Sequence, residues 1–167
     1  MAVTSSRTAV LTLPSDTQIK VTREFDAPKH LVFKAYTTPE LVRKWWHAKR
    51  GTMTVCEIDL RVGGTWRYVM ETPEGFEVAF HGEYKQIVPD DTIVTTEVYE
   101  GAPVPEGVDL PETINTLTLT EESGRTTATI VIQAPDKMVR DAIIASGMED
   151  GLQDALDLLE EAAASLS

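Results

Sequence analysis

The chain has 167 residues, 42% hydrophobic and 25% charged, and its 15 Lys and Arg against 27 Asp and Glu give a formal net charge of -12. That length suits one domain with a core large enough to stand without disulfides or a structural metal, and the acidity repels nucleic acid and anionic membranes. No apolar run approaches the roughly 20 residues of a membrane span, the single Cys excludes an internal disulfide, and no long apolar stretch follows Arg7, so a reducing cytoplasm is the expected setting.

Residues 1–16, rich in Ser, Thr and Ala, read as a flexible tail, although 9–13 could pair as an edge strand; residues 17–167 read as the domain. From Gln18 to Phe25 the alternation of Ile19 and Val21 with Lys20 and Thr22 predicts a first strand. Asp26, Ala27 and Pro28 then look like a helix start with Asp26 as the cap. A short helix through His30 to Tyr36 is followed by a second, opened by Thr38 and Pro39 and running to Trp46. Beyond Gly51, six segments have strand length and are rich in Val, Ile, Thr and aromatics: 53–60, 65–71, 76–85, 92–99, 113–120 and 126–133. Gly63-Gly64, Pro73-Glu74-Gly75, Pro89-Asp90-Asp91 and Gly124 punctuate them as an antiparallel meander. The stretch 101–112 is long and Pro-rich, the kind of loop that is functional or mobile.

After a short helix over 136–145, the residues from Ser146 to Ala164 form the longest periodic segment, roughly 28 Å as a helix. Met148, Gly151, Leu152, Ala155, Leu156, Leu158, Leu159, Ala162 and Ala163 share one side of it. Glu149, Asp150, Gln153, Asp154, Asp157, Glu160 and Glu161 fill the other, which should face water. Ser146 and Glu149 have capping-box spacing. The strands supply the surface this helix needs. Trp66, Tyr68 and Met70 alternate with Arg67, Val69 and Glu71, and Phe76, Val78, Phe80 and Tyr84 with Glu77, Ala79, His81, Glu83 and Lys85, so the aromatic sets should point at the helix. The expected fold class is α+β, with helices on one face of an antiparallel sheet.

Several runs carry a resemblance: Arg23 to Pro28, Pro39-Glu40-Leu41 with Trp45-Trp46, Asp59 to Arg67, Gly82 to Pro89, and Gly147 to Gly151. Over residues 18–164 the sequence resembles single-domain relatives of the C-terminal domain of the heat-shock-protein ATPase activator, within the START-like, birch-pollen-allergen-like (SRPBCC) superfamily. The resemblance implies a helix-grip fold, a curved antiparallel sheet around the long C-terminal helix with a cavity between them. Many members open that helix with Gly-Trp; here Met148 takes the place of the Trp.

The leading functional expectation is therefore a carrier or sensor of a small hydrophobic molecule, with Phe33, Trp46, Trp66, Tyr68, Met70, Phe76, Phe80, Met148 and Leu152 lining the pocket. The resemblance adds two alternatives: a co-chaperone-like module that stimulates a heat-shock chaperone ATPase, for which an N-terminal chaperone-binding domain would be needed, and a cyclase or aromatase-type enzyme, for which a polar group inside the pocket would be needed. No cofactor is implied. One Cys and three scattered His offer no metal spacing, and Gly63-Gly64 lacks the Lys-Ser/Thr of a phosphate loop. His81, Glu83, Glu77 and Lys85 share a strand face, but it is the wet one, which makes them a solvated charge ladder. His30 and His47 read as surface residues, Cys56 reads as a small buried hydrophobe, and of the adjacent Trp45 and Trp46 at most one can be fully interior.

Overall fold

The structure, a computed structural model, describes residues 9–100 and 111–166. Among these, eight strands run Val10–Thr12 (β1), Gln18–Phe25 (β2), Thr52–Ile58 (β3), Thr65–Glu71 (β4), Glu77–Val88 (β5), Thr92–Tyr99 (β6), Glu112–Glu122 (β7) and Arg125–Gln133 (β8). They form one antiparallel sheet in the order β1-β2-β8-β7-β6-β5-β4-β3. Four helices accompany it: Lys29–Thr37 (α1), Pro39–Trp45 (α2), Lys137–Ala145 (α3) and Met148–Ala164 (α4). The first two carry the chain from β2, next to one edge, to β3 at the other edge, and α4 packs close against both of them. Register shifts between Met53 and Val55 and between Tyr84 and Gln86 are the irregularities that let a sheet bend around a helix. The architecture is the α+β helix-grip arrangement.

The core lies between the concave sheet face and the helices. On α4 it takes Ala155, Leu156, Leu159, Ala162 and Ala163, all buried, and on the sheet Ile19, Val21, Phe25, Leu119 and Ala128. α1 adds Leu31, Val32, Phe33 and Ala35. Helix ends are closed by partners brought from elsewhere. Asp136 caps α3 by accepting from the Val139 N–H at 2.8 Å, while the first N–H of α1, on Lys29, donates to the Glu121 carboxylate of β7 at 2.8 Å.

Several expectations change here. The edge-strand alternative for 9–13 is realised: Val10–Thr12 pairs with β2, and the Ala9 backbone exchanges two hydrogen bonds with the Gln153 side chain on α4. Residues 1–8 lie outside the described residues, as does 101–110, which takes in most of the Pro-rich stretch; its last residue, Glu112, opens β7. Ser146 does not start the long helix. It ends α3, and α4 begins from Gly147 at φ 84°, a left-handed corner that glycine enters without steric cost and that no side chain caps. Asp26 is likewise not the cap of α1: Pro28 holds that position, and the Asp26 N–H donates to Glu160 on α4 at 2.8 Å.

The acidic side of α4 also does more than face water. Arg23 on β2, only 1% exposed, reaches Asp157 at 2.8 Å and Glu160 at 3.3 Å, and its Nε donates to the Glu24 carbonyl at 3.0 Å. Arg50 pairs with Asp154 at 2.9 Å. A helix with seven acidic or amide residues and no basic one finds its counter-charges on neighbouring elements, which is why intrahelical spacing could not reveal them. Removing one partner of a buried pair strands the other, so Arg23→Ala should cost roughly 3 kcal/mol in urea unfolding, the half-exposed Asp157 keeping the loss at the lower end for such pairs. A loss below about 1 kcal/mol would mean that apolar packing alone seats the helix.

Candidate functional site

The concave face is assembled by strand register. β4 sets Trp66, Tyr68 and Met70 opposite Gly82, Phe80 and Val78 of β5, and Phe80 in turn faces Tyr99 of β6. Trp66, Tyr68 and Met70 are buried, as the alternation predicts, and Phe33 is buried in the same core from α1. Trp46, just past the end of α2, meets Tyr68 and Phe80 edge-on at 5.4 and 5.5 Å, and Phe80 stacks on Tyr99 at 5.0 Å. Such contacts contribute beyond plain burial. Its neighbour Trp45 is the interior one, buried with its indole N–H donating to the Ala35 carbonyl at 2.9 Å.

Phe76 does not join this group. It closes the β4–β5 hairpin turn, where its backbone bonds to Thr72, and its side chain is 68% exposed. The hairpin carries it past the region the helices cover, so correct parity along the strand is not enough to bury it.

Burial changes along α4. From Ala155 onward the apolar stripe is packed, but Met148 and Leu152 in the first turns are only partly buried. The sheet shows the same change. On β8, Thr126 and Ala128 are buried, whereas Ile130 and Ile132 are only partly so, like Val78 and Phe80 on β5 and Ile143 and Ile144 on α3. The partly buried apolar residues thus gather on the middle strands, α3 and the front of α4. A separate shallow depression of about 180 Å³ lies outside this region, between α2 and the end of α4, bounded by Lys44, Leu158, Glu161, Ala162 and Ser165. None of the nine candidate residues borders it.

Sequence reasoning missed the polar residues in this apolar face. Register places Glu97 of β6 on the same side as Tyr99, and Asn115 of β7 lies opposite Thr95. Burial pushes the Glu97 carboxyl up to about 7, and the Asn115 amide, its hydrogen-bonding neighbour, pulls it only part of the way back. Burial also raises the phenols of Tyr68, well above the ordinary range, and of Tyr84, to about 12. The Trp66 indole N–H is buried with no hydrogen-bond partner among the described residues. The signal for Glu97 was present but ambiguous. It is in phase with Ile93 and Tyr99, while Val94 and Val98 in the other phase read equally well as the inner set.

The outer face is wet, as expected, but its charge pairing differs. His81 pairs with Glu100 at 2.9 Å, not with Glu83, and Arg67 grips the same carboxylate twice at 2.9 Å. The Arg67 bonds, then His81, hold Glu100 down at about 2. Cys56 is buried, its thiol donates to the Pro39 carbonyl, and burial pushes its pKa up, which keeps it an inert thiol. Among the described residues no group of three or more His, Cys, Asp or Glu could hold a metal, and no helix is long and apolar enough to cross a membrane.

Comparison with known proteins adds the following. A family model described as "Activator of Hsp90 ATPase homolog 1-like protein" matches residues 26–164. No curated protein sequence matches the chain. Among solved structures, a Rhodobacter sphaeroides protein superposes with a TM-score of 0.84 at 26% identity, covering 95% of this chain and 99% of its own. Protein Ms6760 of Mycobacterium smegmatis gives 0.80 at 25% identity, over 92% and 95%. Protein CV1439 of Chromobacterium violaceum gives 0.72 at 26% identity, over 87% and 99%.

The Glu97 environment has a consequence for stability. The folded chain holds this proton more tightly than the unfolded chain, where the group titrates near 4.5, so stability falls as pH rises from about 4.5 to about 7 and then levels off. Glu97→Gln cannot ionise. Relative to the parent it should gain roughly 2 kcal/mol in urea unfolding at about pH 8 and nothing at about pH 4. An equal difference at both pH values would show that the carboxyl is not desolvated.

Proposed function

Starting from the fact that the chain belongs to the Activator of Hsp90 ATPase homolog 1-like family, whose members are ligand-binding or co-chaperone-like modules, we propose that it binds a small, mainly apolar molecule between the middle of the sheet and the front of α4. The observation that carries this reading is the change in burial along α4 and β8. A helix packed tightly at one end and loosely at the other, over a sheet that loosens at the same place, leaves apolar surface that a guest can cover.

The chemistry of the lining suits a guest of this kind. Phe80, Trp46 and Tyr99 offer ring faces and edges, Ile130 and Ile132 a flat aliphatic floor, and Met148 and Leu152 an adaptable roof. Met in particular reshapes itself around different guests. Of the nine residues proposed from the sequence, eight remain in the reading and Phe76 leaves it. The binding role also accounts for Phe80 and the two rings that meet it, Trp46 and Tyr99, not being fully buried, since covering them is worth up to a few kcal/mol of affinity.

Uptake of the neutral fluorescent probe N-phenyl-naphthylamine tests the reading. The parent protein should bind it with enhanced emission, and Phe80→Asp, checked for native near-ultraviolet dichroism, should weaken binding at least about tenfold, because a carboxylate would sit among apolar atoms. Undiminished binding by folded Phe80→Asp would place any site elsewhere.

A further inference from the structure

We propose that Trp66, Gly82 and Glu97, with Asn115 beside them, form a polar subsite in this pocket that receives the hydroxyl or carbonyl oxygen of an otherwise apolar, aromatic guest. The inference rests on the binding reading above and adds what kind of molecule it selects.

Three strands contribute to the subsite. Trp66 on β4 lies opposite Gly82 on β5, and the register that pairs Phe80 with Tyr99 and Tyr84 with Thr95 brings Gly82 beside Glu97 on β6. Gly82 is where the strands and the indole come closest. A Cβ there would collide with the Thr96 carbonyl and come within 2.7 Å of Trp66 Nε1. The indole N–H thus lies over bare backbone between Trp66 and the Glu97 strand. Any other residue at position 82 would have to displace the Thr96 carbonyl or the indole.

The N–H itself calls for a partner. Trp66 is 6% exposed, and its Nε1 has no acceptor among the described residues. A buried unpaired donor costs about 1–3 kcal/mol, and such groups in native proteins demand an explanation. An oxygen carried in on an apolar body supplies one. The indole can only donate, so the incoming atom must accept; an ammonium group does not fit beside it.

Glu97 supplies the complementary ability. Held near neutrality by its surroundings, its carboxyl can donate to a carbonyl oxygen or accept from a hydroxyl, and the Asn115 amide keeps it in place on one side. Tyr68 lies on the same face by register. One donor fixed on a ring and one group of either polarity describe a site for a phenol, an enol or a ketone more closely than one for a hydrocarbon. Such sites discriminate strongly, because a guest lacking the oxygen leaves the buried groups unpaired.

A matched pair of probes tests this: naphthol and methylnaphthalene, alike in shape and differing by hydroxyl against methyl. The parent protein should bind naphthol at least about tenfold more tightly. In Trp66→Phe and in Glu97→Met that preference should shrink to about threefold or less. Equal affinity of the parent protein for both probes, or a preference that survives in both variants, would overturn the subsite while leaving the apolar pocket in place. Failure of the parent protein to bind either probe would overturn the pocket and the subsite together.

Discussion

One buried guanidinium decides where the long helix lies on the sheet. Arg23 has its own strand on one side, the ring of Phe25 at 5.2 Å, and two carboxylates of α4 in front of it. An uncompensated charge so deeply buried would cost more than the fold could bear, so α4 cannot slide or rotate without losing Asp157 and Glu160. Glu160 is tied further by the Asp26 N–H, and Arg50 and the Ala9 backbone hold Asp154 and Gln153 on earlier turns. The acidic side of the helix is thus its means of attachment, and the apolar side is free to pack where it can and stay loose where it does not.

That division lets the front of α4 stay only partly buried. The second half of α4 and the β2 side of the sheet make a packed core of aliphatic residues, enough to hold the fold. The front of the helix, turned by Gly147 out of α3, is held by polar links on its far side, so Met148 and Leu152 need not fill every gap beneath them. Well-packed interiors leave few voids, and a place where several large hydrophobic residues on facing elements are all incompletely buried is where the proposed site lies.

Much of this was legible in the sequence, for identifiable reasons. Strong alternation in β4 placed Trp66, Tyr68 and Met70 on the inner face, and the helical period of α4 placed its apolar stripe, because each pattern has one clear phase. Local signals failed where tertiary partners decide. Ser146 has the spacing of a cap, but the chain needs a left-handed corner there and Gly147 provides it. The capping of α1 by Glu121 and the pairing of Arg23 with α4 join residues about a hundred positions apart, beyond any spacing rule. Phe76 had the right parity but sits on a turn. Glu97 was hidden because β6 carries apolar residues in both phases, and a carboxylate in such a strand is read by default as solvent-facing.

The central claim is that the guest enters between the middle strands and the front of α4, and methyl NMR during titration with N-phenyl-naphthylamine tests it most directly. The methyl groups of Ile130, Ile132, Met148 and Leu152 should shift together and saturate, while those of Leu156 and Leu159, locked in the packed half, should stay in place. Shifts confined to Leu158 and Ala162, around the depression at the other end of α4, or none at saturating probe, would contradict the account.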